Sequence, residues 1–227
     1  QALRFEATAR HVGSGFFEGM PGVAALEAAL GAARVAAFER LKPDFARLTG
    51  LPEVEALRAA LALAPDEHDL GSALDLVATT AVASGAIARL KAGAAPLAPD
   101  ADARHSADLL RMIRGETPLP EEAKALDAYL VTISDHGLNA STFVARSVAS
   151  TRAGLGSAVI AALSALKGPL HGGAPGPVLD MLDGIGTAER AEMWIRDALN
   201  RGERLMGFGH RVYRTRDPRA DVLKRVV

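Results

Sequence analysis

The chain has 227 residues, 49% of them hydrophobic and 4% aromatic, enough for a substantial core in one large domain or two small ones. Its 26 basic and 27 acidic residues are interspersed and sum to a net charge of −1, so no broad field draws nucleic acid or a membrane surface. Cysteine is absent, which excludes disulfides and thiolate metal sites, and no apolar run reaches the roughly 18 residues of a membrane span.

The first twenty residues show no clear period, and Gly13, Gly15 and Gly19 mark them as loop-like. The start at Gln1 has no Met and no apolar leader, so a signal peptide is not expected and a cytoplasmic protein is. A helix follows Pro21, with Val23, Leu26, Leu30, Val35 and Phe38 on its apolar stripe and Pro43 as its stop. Pro52 opens the next, through Val54, Leu57 and Leu61. Asp69 caps a longer one carrying Leu74, Val77, Ile87 and Leu90 and closing near Gly93.

After a Pro-containing loop, a short helix spans Ser106 to Ile113, with Leu109, Leu110, Met112 and Ile113 apolar. Glu121 begins a long helix with Leu126, Tyr129, Leu130 and Ile133 on one side. It meets Asp135-His136-Gly137-Leu138-Asn139 and resumes through Phe143, Val144 and Val148. Further helices cover Gly156 to Leu166, Val178 to Leu182 and Ala188 to Leu199, with a loop from Gly202 to Arg219 and a last helix near Asp221. Alanine and leucine dominate and strict alternation is absent, so the fold is read as all-α, with about ten helices. A large helical domain over 1–170 and a smaller one over 171–227 are expected.

His136, His171 and His210 all sit beside glycines at element ends. Glycine lets a ligand or another backbone approach closely, and imidazole moves protons near neutral pH. Singly, a histidine at a helix end more often caps or packs, and His11, His68 and His105 keep that reading. A zinc site from the three Gly-flanked histidines is disfavoured, because no pair has i, i+4 spacing. Arg204, Arg211, Arg214, Arg216 and Arg219 surround His210. Such a group suits a carboxylate or phosphate ligand, or equally a solvated basic face. Gly207-Phe208-Gly209-His210-Arg211-Val212 lacks the last glycine of a dinucleotide fingerprint.

Four blocks in order, Ser134-Asp135-His136-Gly137-Leu138-Asn139-Ala140-Ser141-Thr142, Lys167-Gly168-Pro169-Leu170-His171-Gly172-Gly173-Ala174, Met206-Gly207-Phe208-Gly209-His210-Arg211-Val212-Tyr213 and Asp217-Pro218-Arg219, resemble the citrate synthase family. The resemblance covers roughly Leu57 to Val227, and the family's N-terminal strand region is not evident in Gln1 to Gly50.

The resemblance implies an all-α homodimer whose small domain closes over substrate. It implies a reaction joining acetyl-CoA to oxaloacetate, giving citrate and CoA, with no metal and no permanently bound cofactor. It gives His171 the thioester carbonyl, and His210 the ketone of the oxo acid. His136 and Arg219 hold the oxo acid's carboxylates. Arg214 lies toward the CoA phosphates, and Leu205, Met206, Gly207 and Phe208 toward the adenine. The family's base, an Asp, falls beyond Val227, so the chain is expected to be incomplete at its ends. A 2-methylcitrate synthase using propionyl-CoA is a close alternative. A non-catalytic paralogue binding CoA or a dicarboxylate is a more distant one.

Overall fold

The computed structural model describes residues 4–135, 137–172, 176–208 and 217–226. Among the described residues there are twelve α-helices and no strand: α1 Phe5–Gly13, α2 Val23–Leu41, α3 Phe45–Thr49, α4 Glu53–Leu61, α5 Leu70–Lys91, α6 His105–Arg114, α7 Pro120–Ile133, α8 Ala140–Ala149, α9 Leu155–Leu166, α10 Gly176–Ile185, α11 Ala191–Asn200 and α12 Pro218–Leu223. The all-α reading holds.

The core gathers around α5. Its helix starts where the Asp69 side chain accepts the Ser72 N–H at 2.7 Å, the capping contact expected of that residue. Val82, Ala86 and Ile87 of α5 are buried in one cluster with Phe38 and Leu41 of α2, Phe45 and Leu48 of α3, Ala60 of α4 and Met112 of α6. Contrary to the expectation that no segment is long and apolar enough, the 22-residue α5 could cross a membrane by length and composition, with mean hydropathy 1.4 over an 18-residue stretch. Most of it is instead covered by its neighbouring helices. Close approach is built into α2, where Gly31 lies against the Ala101 carbonyl and has no room for a Cβ.

Three expectations fail here. Residues 5–13 form a helix rather than a loop. Glu6 and the Arg10 and His11 end suit the helix dipole, and buried Glu6 accepts the His105 N–H at 2.9 Å. A contact 99 residues away leaves no local period. On α2, Val35 is 40% exposed while Arg34 is fully buried. Arg34 tolerates this because Asp108, 2.7 Å from its Nε, and the carbonyls of Asp100 and Ala103 satisfy it. On α7, Tyr129 and Ile133 stand exposed rather than on a buried stripe.

Helices α8 and α9 pack tightly on each other, joined by a short turn, and α12 packs on α7. The turn is fixed from a distance. Asp66 accepts the Ser157 N–H at 3.0 Å and its hydroxyl at 2.5 Å, which holds the Asp66 carboxyl below its usual range. Gly154 has φ +101° and lies directly against Asp66, a conformation and a clearance that only glycine supplies.

Candidate active site

The antiparallel α8–α9 hairpin brings the start of α8 to the end of α9, and the site grows from that junction. Asn139, extended at φ −87° and ψ 177°, caps α8 by accepting the Thr142 N–H on Oδ1 at 3.0 Å. The same oxygen accepts the Ser141 hydroxyl at 2.8 Å. At the other end, the His171 N–H donates to Gly168 O at 2.9 Å and the Gly172 N–H to Leu166 O at 2.7 Å. These bonds fold the chain back over the α9 terminus. His171 Nε2 then lies 3.0 Å from Ser141 Oγ.

Neither Asn139 nor Ser141 is assigned a role in the sequence reading. Asparagine just before an apolar helical run is the available signal for the cap. Nothing local marks Ser141, whose partner is 30 residues away.

The Ser141 hydroxyl has one proton. Donated to Asn139, it leaves the seryl oxygen to accept Nε2–H, and Nδ1 bare as an acceptor. Turned onto Nε2, it leaves Nδ1–H as a donor. The rotation of one hydroxyl thus selects whether the imidazole offers a lone pair or a proton at its other nitrogen.

The other expected site residues sit on separate elements. Arg219 lies in the first turn of α12. Asp217 caps that helix through the Arg219 N–H at 3.0 Å and grips the same residue's guanidinium, with Nη2 2.6 Å from Oδ2. This fixes the guanidinium's direction, at 27% side-chain exposure. Leu205 and Met206 are half-buried after α11, Gly207 lies against Val178 of α10, and Phe208 is 73% exposed. His136, His210 and Arg214 lie outside the described residues. Asp135 shapes the loop before α8 by accepting the Gly137 N–H at 3.0 Å.

Two other described histidines, His105 and His68, have ordinary partners. His105 is buried, stacked on Phe5 with ring centres 4.8 Å apart. Burial, then the neighbouring Arg34 charge, lowers its pKa to about 4. His68 Nε2 lies 3.0 Å from the Arg152 carbonyl. Among the described residues no three His, Asp or Glu groups converge as a metal site.

Residues 17–227 match the family described as "Citrate synthase, C-terminal domain", so the likeness starts well before Leu57. The chain is 42% identical over 185 residues to a citrate synthase of Deinococcus radiodurans, covering 77% of this chain and 49% of that protein. It is 38% identical over 167 residues to a 2-methylcitrate synthase of Mycobacterium tuberculosis, covering 72% and 42%. Its fold superposes on a citrate synthase of Thermoplasma acidophilum solved in a ternary complex with carboxymethyl coenzyme A and oxaloacetate. The TM-score is 0.79 at 26% identity, over 97% of this chain and 60% of that one. The chain spans about half the length of the curated relatives it matches.

Proposed function

The chain belongs to the citrate synthase family, and from that premise we propose that the protein condenses acetyl-CoA with oxaloacetate to give citrate and free CoA. The observation that carries the reading is the His171–Ser141 pair at 3.0 Å, on the segment that bears the family's thioester-facing histidine.

The methyl group of the thioester must lose a proton to a base. By the family resemblance this base is an Asp. As the proton leaves, charge builds on the carbonyl oxygen. His171, with Nδ1–H turned toward that oxygen and Nε2 accepting from Ser141, stabilises the developing enolate by a positioned donor. The enolate carbon attacks the ketone carbon of oxaloacetate, and the ketone oxygen takes the proton that His210 supplies. Water then cleaves the thioester and releases CoA. Arg219 and His136 bind the oxo acid's carboxylates. For Arg219 the supporting feature is the aim imposed on its guanidinium by Asp217. Arg214 and the Leu205–Phe208 stretch face the CoA, for which exposed Phe208 offers an apolar surface.

Likeness to the M. tuberculosis protein favours a second reading, in which propionyl-CoA is the donor. One methylene is worth about 1–3 kcal/mol in an apolar pocket. We assign a homodimer contact to the outer face of α8, where Phe143 is 61% exposed.

The test is thiol release from acetyl-CoA and from propionyl-CoA, each with oxaloacetate. Faster release from acetyl-CoA supports the first reading, and faster release from propionyl-CoA the second. Oxaloacetate binding without thiol release from either would leave a non-catalytic binding protein.

A further inference from the structure

At the start of α6 and α7, a cavity of about 340 Å³ opens between the two helices, Arg4 and Val226. This volume is at the lower end for small-molecule sites. The first helical N–H, of His105, is taken by Glu6. The next two, of Ser106 and Ala107, have no partner among the described residues, and both residues line the cavity. They form the positive end of a ten-residue helix.

Ser106 provides the second observation. It is only 3% exposed, yet it lines the cavity. Its hydroxyl has no hydrogen bond among the described residues, whereas the large majority of buried polar side-chain atoms in proteins have a partner. Arg4, Arg104 and Lys124 line the same space against a single carboxylate, Asp127. Asp127 already accepts the Phe5 N–H at 3.2 Å, and Arg4 is weakly paired with Glu27 at 3.7 Å. The rest of the wall is apolar, including Ala123 and Ala128.

We propose that this cavity binds a small organic phosphate monoester, its phosphate on the α6 N-terminus and Ser106 hydroxyl and its organic part over Ala123 and Ala128. Two amides, a hydroxyl and three cations match the several acceptor oxygens and double charge of that group better than a single carboxylate. Inorganic phosphate would leave the apolar wall uncovered. Lys124 precedes Ser134, where the chain turns toward the α8 start, by about 15 Å along the axis of α7. No residue that lines the cavity belongs to the site built around His171, and the proposal does not rest on the condensation reading.

The experiment is calorimetric titration of the full-length protein with phenyl phosphate, inorganic phosphate and benzoate at low salt. Phenyl phosphate binds at least about tenfold more tightly than either of the others. Arg104→Gln and Lys124→Gln, both on exposed side chains, each weaken it several-fold, while the KM for acetyl-CoA in thiol release stays at the wild-type value. Absence of saturable binding to wild type, equal affinity for benzoate, or equal affinity in both variants overturns the proposal. So does a KM for acetyl-CoA that rises in step with the loss, which would make the cavity part of the CoA site.

Discussion

His171 and Ser141 meet at 3.0 Å across the open end of the α8–α9 hairpin, with Asn139 holding the seryl hydroxyl from the far side at 2.8 Å. The hydroxyl has one proton to give to either neighbour. Ser141→Ala removes the partner that orients the imidazole and selects its tautomer. We expect turnover to fall about tenfold to a hundredfold, since small misplacements at a reacting centre carry penalties of that order. The KM for oxaloacetate changes little. Steady-state kinetics check this, and a change confined to the KM for oxaloacetate would contradict it.

Arg34 and Asp108 form a buried ion pair, at 1% and 0% side-chain exposure. Breaking such a pair from one side costs about 3–5 kcal/mol, because the other charge stays buried. Arg34→Leu should therefore lower stability by that order in urea unfolding, even though Arg111 and the Asp100 N–H still serve Asp108. A loss within 0.5 kcal/mol, as about the size of an ordinary surface change, would contradict the buried network as a determinant of the fold.

His105 predicts a pH dependence. Its pKa is about 4 when folded, against about 6.5 when exposed in the unfolded chain. The unfolded state therefore binds the extra proton between those values. The contribution is fully present above pH 6.5 and is lost as pH falls toward 4, by about 3 kcal/mol. Urea midpoints at pH 7.5 and pH 4.5 should differ less in His105→Gln than in wild type. The same difference in both would place the acid sensitivity elsewhere.

Gly154 and Asp66 predict a local fault. Gly154→Ala forces a side chain into φ +101° and against Asp66. We expect about 1–3 kcal/mol of destabilisation, read as a lower thermal midpoint. Asp66→Ala, which only removes the cap on Ser157, should cost about 1 kcal/mol. A larger loss in Asp66→Ala than in Gly154→Ala would reverse this ordering.

The fold was legible where local chemistry decides it. Asp69 before an apolar run announces α5, and Pro52 stands at a helix start as its fixed φ allows. It was illegible where a distant partner decides. Arg34 occupies a core position because carbonyls and a carboxylate 66 to 74 residues away wait for it, and α1 forms over a contact with His105. At the site, glycine neighbours single out His171. The Ser141 hydroxyl that orients it carries no local mark, because the hairpin alone brings the two together. Glycine neighbours also single out His136 and His210, and the basic cluster and family resemblance Arg214; all three lie outside the described residues.

The most direct measurement is a pair of assays on His171→Ala: thiol release from acetyl-CoA with oxaloacetate, and oxaloacetate binding by calorimetry. The account predicts turnover reduced by about a hundredfold or more, with oxaloacetate affinity unchanged. Turnover near wild type, or binding lost together with turnover, would contradict it.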